Sequence, residues 1–158
     1  MSTLRETDLY PPIKAFLEDQ GYVVKAEVGA ADVVAVRGAE PPVVVELKLG
    51  FSLALFHQCL ARLKVSDNVY LAVARQPGKR FAKAVKDNVT LARRLGLGLI
   101  TVRLSDGLVE VHCDPGPYAP PDGGQTRAGL VTAYRQDALK IAVYLFEAGA
   151  SKGAHVAR

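Results

Sequence analysis

The sequence predicts an α/β fold, and three observations carry that class. Short β-branched runs bounded by Gly and Pro recur through the first two thirds of the chain, and amphipathic stretches of helical length stand between the later ones. One run, Val43-Val44-Val45-Glu46-Leu47-Lys48-Leu49, is apolar enough for a sheet interior and still carries two opposite charges. Glu46 and Lys48 are two apart and so project from the same face of a strand. A buried charge without a partner is strongly unfavourable, so both residues require compensation. A metal ion and a phosphate would supply it; a partly solvated salt bridge between the two at a strand end is the alternative.

Taken in order, Pro11 and Pro12 suit a helix start, Ile13, Phe16 and Leu17 give the i, i+3, i+4 apolar stripe, and Gly21 ends it. Glu6 lies just upstream, where Thr3-x-x-Glu6 also fits a capping box. Residues 22–27 and 32–37 read as strands, and Gly38-Ala39-Glu40-Pro41-Pro42 turns the chain into the Glu46 strand, completing a three-strand meander. Ser52 is a candidate N-cap for a helix that faces the core with Leu53, Phe56, Leu60 and Leu63. Residues 69–74 form a fourth strand. Pro77-Gly78 then leads into a helix reaching about Leu95, with Phe81, Val85, Val89 and Ala92 inward and Lys79, Lys83, Lys86 and Arg93 along one basic stripe. Residues 99–103 and 108–113 make a hairpin turned at Asp106-Gly107.

The core domain is therefore expected over residues 1–113. Residues 114–131 read as a Pro/Gly-rich linker, and residues 132–158 hold an amphipathic helix to about Ala148. That helix carries Leu139, Ala142, Val143 and Phe146 on one side, a stripe to be covered by the core, by further residues or by a second copy of the chain, which makes a homodimer one expectation.

The 158 residues suffice for one domain and a small appendage, and 49% hydrophobic with 23% charged residues is a globular composition. No run approaches the ~18 apolar residues of a membrane span. The N-terminus is polar, and Cys59 and Cys113 lack CxxC spacing and sit in apolar contexts, so free buried thiols, a cytoplasmic location and no membrane are expected. Residues 1–50 hold five Lys/Arg against eight Asp/Glu, whereas Arg75 to Arg103 holds eight Lys/Arg against Asp87 alone. A polyanionic partner would explain that asymmetry; a solvated helix face is the other explanation. His57, His112 and His155 have no second ligand at metal spacing, and no P-loop or G-x-G-x-x-G occurs.

The turn at 38–42 pairs the Asp32 strand antiparallel with the Glu46 strand. With residues 37 and 43 opposite each other, Asp32 faces Lys48 and Val34 faces Glu46, so the two carboxylates become diagonal neighbours on one face. A shift of one residue would separate them. Together with a main-chain carbonyl such as that of Leu47, they make an oxygen-rich site suited to Mg²⁺ or Mn²⁺, with Lys48 beside it.

This order of residues resembles the PD-(D/E)XK nuclease and phosphodiesterase superfamily: Glu6 in the first helical region, Asp32 opening one strand, Glu46-Leu47-Lys48 on the next, and Gln58 on the following helix. The stretch from Glu6-Thr7-Asp8-Leu9-Tyr10-Pro11-Pro12 to Tyr70-Leu71-Ala72-Val73, with Val131 to Ala138 near the C-terminus, is similar to a bacterial family of PD-(D/E)XK-type phosphodiesterases classed as a domain of unknown function. The resemblance implies a three-layer α/β/α, restriction-endonuclease-like core with a mixed central sheet and a C-terminal segment continuing into a winged-helix-like element. It also implies ligation of Mg²⁺ or Mn²⁺ by Asp32 and Glu46, by Glu6 through water, and Lys48 and Gln58 at the scissile phosphate. Ala31 precedes Asp32 where the superfamily motif has Pro. The expected activity is metal-assisted hydrolysis of a nucleic-acid phosphodiester, DNA above all, with Lys79, Lys83, Lys86 and Arg93 gripping the backbone. The alternatives are a DNA-binding module on the same fold that does not cut, and a dimeric scaffold indifferent to divalent metal.

Overall fold

Val43 to Leu47 are all buried, so the central strand is covered on both faces and everything else is laid down around it. The structure, a computed structural model, is described for residues 3–26 and 32–118. The chain divides into two units, residues 1–119 and 120–158, and the description concerns the first. The described residues form six strands, β1 (Val23–Ala26), β2 (Asp32–Val36), β3 (Val43–Lys48), β4 (Asn68–Ala74), β5 (Gly98–Arg103) and β6 (Leu108–Cys113). They lie side by side in chain order in one mixed sheet: β1–β2, β2–β3 and β5–β6 are antiparallel, β3–β4 and β4–β5 parallel. The two parallel joins are made by α2 (Leu53–Arg62) and α3 (Lys79–Leu95), while α1 (Tyr10–Glu18) precedes the sheet, introduced by a short 3-10 helix over Glu6–Leu9.

Strand alternation sorts the core into two clusters. Val43, Val45 and Leu47 pack with Ile13 and Leu17 of α1, with Ala72 and Ala74, and with Ile100 and Val102. Val44, Leu71, Val73 and Leu99 pack with Leu55, Phe56 and Cys59 of α2 and with Ala92 of α3. Glu46, in step with Val44, therefore faces the α2 side. Gly96 ends α3 at φ +76, a left-handed cap open to glycine without strain, and Gly107 turns the last hairpin at φ +74.

The structure corrects three local expectations. Asp32 pairs directly with Glu46, and Val34 with Val44, two residues away from the register that a tight 38–42 turn suggests. The pairing begins at Ala35–Val43, which leaves a longer loop, and because the shift is even the carboxylates stay on one face. At the N-terminus the capping acid is Asp8, whose Oδ2 accepts from the Arg5 amide at 2.8 Å, so Glu6 is not engaged as a cap. Ser52 does cap α2, accepting from the Leu55 amide at 3.1 Å, and of the expected stripe Phe56 and Leu63 pack against the core while Leu53 and Leu60 do not. Leu55, Phe56 and Cys59 are buried, while Leu53 is 71% and Leu60 37% exposed. Both stripes are apolar in the sequence. The line 55–59–62 faces the sheet because Arg62 ends on two buried acids there.

Cys59 and Cys113 are free and buried, as expected. Among the described residues no helix is long and apolar enough to cross a membrane. The helix expected at 132–148, the expected linker beyond Tyr118, the expected winged-helix-like element and any homodimer contact through them fall outside the described residues.

The rotation of α2 yields a direct comparison. Leu55→Ala should lower unfolding free energy by about 2–5 kcal/mol, the cost of a cavity at a fully buried leucine, whereas Leu53→Ala should stay within about 0.5 kcal/mol. Urea denaturation of the two variants measures both; equal losses would mean that the other stripe faces the core.

Candidate active site

Two acids are buried where the β2–β3 ladder begins. Asp32 is the first residue of β2 and Glu46 its partner on β3, with relative exposures of 5% and 3%. Directly opposed side chains of an antiparallel pair stand about 5 Å apart at Cβ, so two like charges are forced together inside the protein. Their partner is Arg62, the last residue of α2. Its Nε donates to Glu46 Oε1 at 2.6 Å, and its Nη2 donates to Asp32 Oδ2. One planar guanidinium thus spans both carboxylates, a geometry that a lysine, with its single ammonium, would not reproduce.

Burial first, and then the hydrogen-bonded Asp32 carboxyl, push the Glu46 carboxyl up to about 7, against the opposing pull of Arg62. Beneath the pair, burial together with the Glu46 and Asp32 charges pushes the Cys59 thiol up to about 12. Cys59 is accordingly a packing residue, with no thiolate at neutral pH to act as nucleophile or ligand.

Lys48, at the solvent end of β3, turns to a different acid. Its Nζ lies 3.2 Å from Glu6 Oε1 and 3.4 Å from Oε2, both side chains being about one third exposed. The salt bridge of Lys48 is therefore made across the fold to the 3-10 helix and not to Glu46, two residues away. Of the five residues singled out as catalytic, the structure places Asp32 and Glu46 in one cluster and Glu6 with Lys48 in a second. Gln58 is exposed on α2, one turn before Arg62, and its side chain makes no hydrogen bond among the described residues. No three of His, Cys, Asp and Glu converge on a metal-sized site among the described residues, so Glu6 stands apart from the carboxylate pair.

Arg62 was missed from the sequence, though a signal for it exists. The buried acids demanded a counter-charge, and Arg62 follows Leu55 and Cys59 at i+7 and i+3 on the stripe that faces them. Lys79, Lys83, Lys86 and Arg93 are all exposed on α3, as are Arg80 and Arg94. Lys83 is held by Asp87 at 2.9 Å, and Thr90 Oγ1 donates back to the Lys86 carbonyl at 3.2 Å. Of the histidines, His57 is exposed and His112 is satisfied by Thr101 Oγ1 at 2.8 Å. His155 lies outside the described residues.

A family model described as "Putative PD-(D/E)XK phosphodiesterase (DUF2161)" matches residues 119–158. It is the family that the N-terminal motifs resemble. The matched segment is the C-terminal quarter of the chain, beyond the described residues, whereas the carboxylate pair and Lys48 belong to the first unit. No curated protein matches the chain.

The raised Glu46 carboxyl fixes the sign of a pH effect. The folded protein holds a proton that an unfolded glutamate, near 4.5, has released. The stability that this proton contributes is fully present below about 4.5 and is lost as pH rises through about 7. The loss attributable to Glu46 should amount to a few kcal/mol at most. Chemical denaturation of the metal-free protein at a series of pH values should show that decline, and Glu46→Gln, which has no proton to release, should flatten it.

Proposed function

We propose that the chain is a divalent-metal-dependent phosphodiesterase acting on nucleic acid, built on a three-layer, restriction-endonuclease-like core. The observation that supports this most is the pair Asp32–Glu46, buried and directly opposed across β2 and β3, with Lys48 two residues further along the same strand. A fold has no structural need for two acids at such a place, where apolar residues of similar size would be as stable or more so. The donor set fits Mg²⁺ or Mn²⁺: hard carboxylate oxygens in a position that already demands positive charge, at present supplied by Arg62. Asp32 and Glu46 would hold the ion. A divalent metal there supplies Lewis acidity toward a phosphoryl oxygen and a more acidic water.

The protein's own groups do the rest. Lys48 carries an ammonium on a rigid central strand, held in place by Glu6, where it orients the attacking water and offsets charge gathering on the phosphoryl oxygens. Gln58, exposed beside Arg62, offers an amide donor to the substrate phosphate. Lys79, Lys83, Lys86 and Arg93 present a positive face to a sugar-phosphate backbone without reading its bases.

One observation favours a second reading, a nucleic-acid-binding module that does not cut. Arg62 already donates a hydrogen bond to each acid, so both have a cationic partner without metal. The deciding experiment offers single-stranded, duplex, branched and RNA substrates with Mg²⁺ or Mn²⁺. Cleavage should appear, and Lys48→Ala should slow it ~100-fold or more while leaving most of the affinity, because orientation and charge stabilisation act chiefly in the transition state. Binding without cleavage of any substrate would instead establish the second reading.

The basic face has its own measurement. If all four cations of α3 meet phosphates of a duplex, log Kd should vary with log salt at a slope of about 3.6 in magnitude, roughly 0.9 per contact. Replacing Lys83 and Lys86 by Ala should flatten it by up to about two units, and less to the extent that Asp87 retains Lys83. An unchanged slope would mean that these residues are only a solvated helix face.

A further inference from the structure

We propose that Arg62 is an internal cation which the divalent metal displaces, and that the displaced guanidinium then holds the substrate phosphate. The inference deepens the metal-dependent reading above and rests on it. Arg62 Nε and Nη2 occupy one oxygen of each acid, Oε1 of Glu46 and Oδ2 of Asp32, the two groups that would ligate the metal. Charge decides between sharing and exchange. One divalent ion suffices for the two carboxylates, and a guanidinium on the same oxygens would stand against it at close range inside the protein, where like charges are poorly screened.

The structure also determines which partner leaves. The Asp32 and Glu46 side chains are fixed in the ladder and only 6% and 4% exposed, whereas the Arg62 side chain is 34% exposed and springs from the last residue of α2. The helix keeps its grip on the sheet through Leu55, Phe56 and Cys59, so outward movement of the arginine side chain leaves the core packing in place. Outside, the guanidinium remains on the rim of the acid pair, one turn from the exposed Gln58. Its planar fork of donors matches two oxygens of a phosphate, and a phosphodiester supplies the negative charge that the acids no longer offer. Arg62 is then a counter-ion in the metal-free protein and a substrate-binding residue in the loaded one.

The wild-type protein can report the exchange directly through the arginine Nε–H resonance of Arg62 in nitrogen-15 NMR, with Mg²⁺ binding followed by calorimetry on the same samples. Metal-free, that proton should be deshielded and slow to exchange with water; with Mg²⁺ it should move to the position of a solvated arginine and exchange rapidly. Mg²⁺ binding with the Arg62 resonance unchanged would overturn the displacement and leave the metal reading intact, whereas no Mg²⁺ binding at all would remove the metal reading and the exchange with it. Arg62→Met, checked for folding by circular dichroism, should bind Mg²⁺ about tenfold more tightly than wild type at the same pH, because the competitor is gone. Arg62→Lys, which keeps the charge and cannot bridge both acids, should gain in the same direction and serves if the methionine variant does not fold. Equal or weaker Mg²⁺ binding in the folded variant would overturn competition. Finally, a dinucleoside phosphorothioate added to Mg²⁺-loaded protein should bind about tenfold more weakly to Arg62→Met than to wild type; equal binding would show that the displaced guanidinium does not hold phosphate.

Discussion

The enforced closeness of two acids, Asp32 and Glu46, is the constraint on which the site depends. Backbone pairing between β2 and β3 sets it, and the side chains have no freedom to relieve it. Everything near them answers that electrostatic demand. Arg62 spans the pair from α2, Glu46 retains its proton to about pH 7, and Cys59 below is held as a neutral thiol. The rotation of α2 follows as well, since only the stripe of Leu55, Cys59 and Arg62 both fills the core and delivers a cation to the acids.

A second ion pair works under different physics. Lys48 and Glu6 meet at the solvent end of β3, where each is about one third exposed and the interaction is screened. Such a pair contributes little to stability but positions an ammonium at low cost and releases it readily. The site thus has a buried half, where charges must be matched, and a wetter half, where a charge is held ready. The proposed phosphodiester chemistry would use that division, the substrate bringing its own negative charge to the wet side and a cation neutralising the dry one.

Much of this was legible in the sequence. β-branched runs and their Gly and Pro boundaries located all six strands to within about two residues, and Ser52, Pro77-Gly78, Gly96 and Asp106-Gly107 marked the helix ends and the last turn. The clash of Glu46 and Lys48 with their apolar surroundings announced a site, and the short distance in sequence to Asp32 supplied its second acid. What went astray depended on rotation or register. Two apolar stripes compete on α2, and periodicity alone gives no reason to choose between them; the choice came from a contact between Arg62 and residues 16 and 30 positions away. The turn at 38–42 likewise had more than one closure, and strand packing selected the longer loop.

The sequence by itself determined the class of fold, the order of strands and helices, and the presence of charged residues on a strand that had to be buried, because those follow from local patterns of size, polarity and backbone restriction. Only the tertiary structure decided who neutralises whom. Lys48 lies two residues from Glu46 yet pairs with Glu6, and Arg62, unremarkable at the end of an amphipathic helix, becomes the counter-ion of both acids. Electrostatic partnership depends on distance in space and on desolvation, and neither quantity exists along a chain until the sheet has brought its strands together.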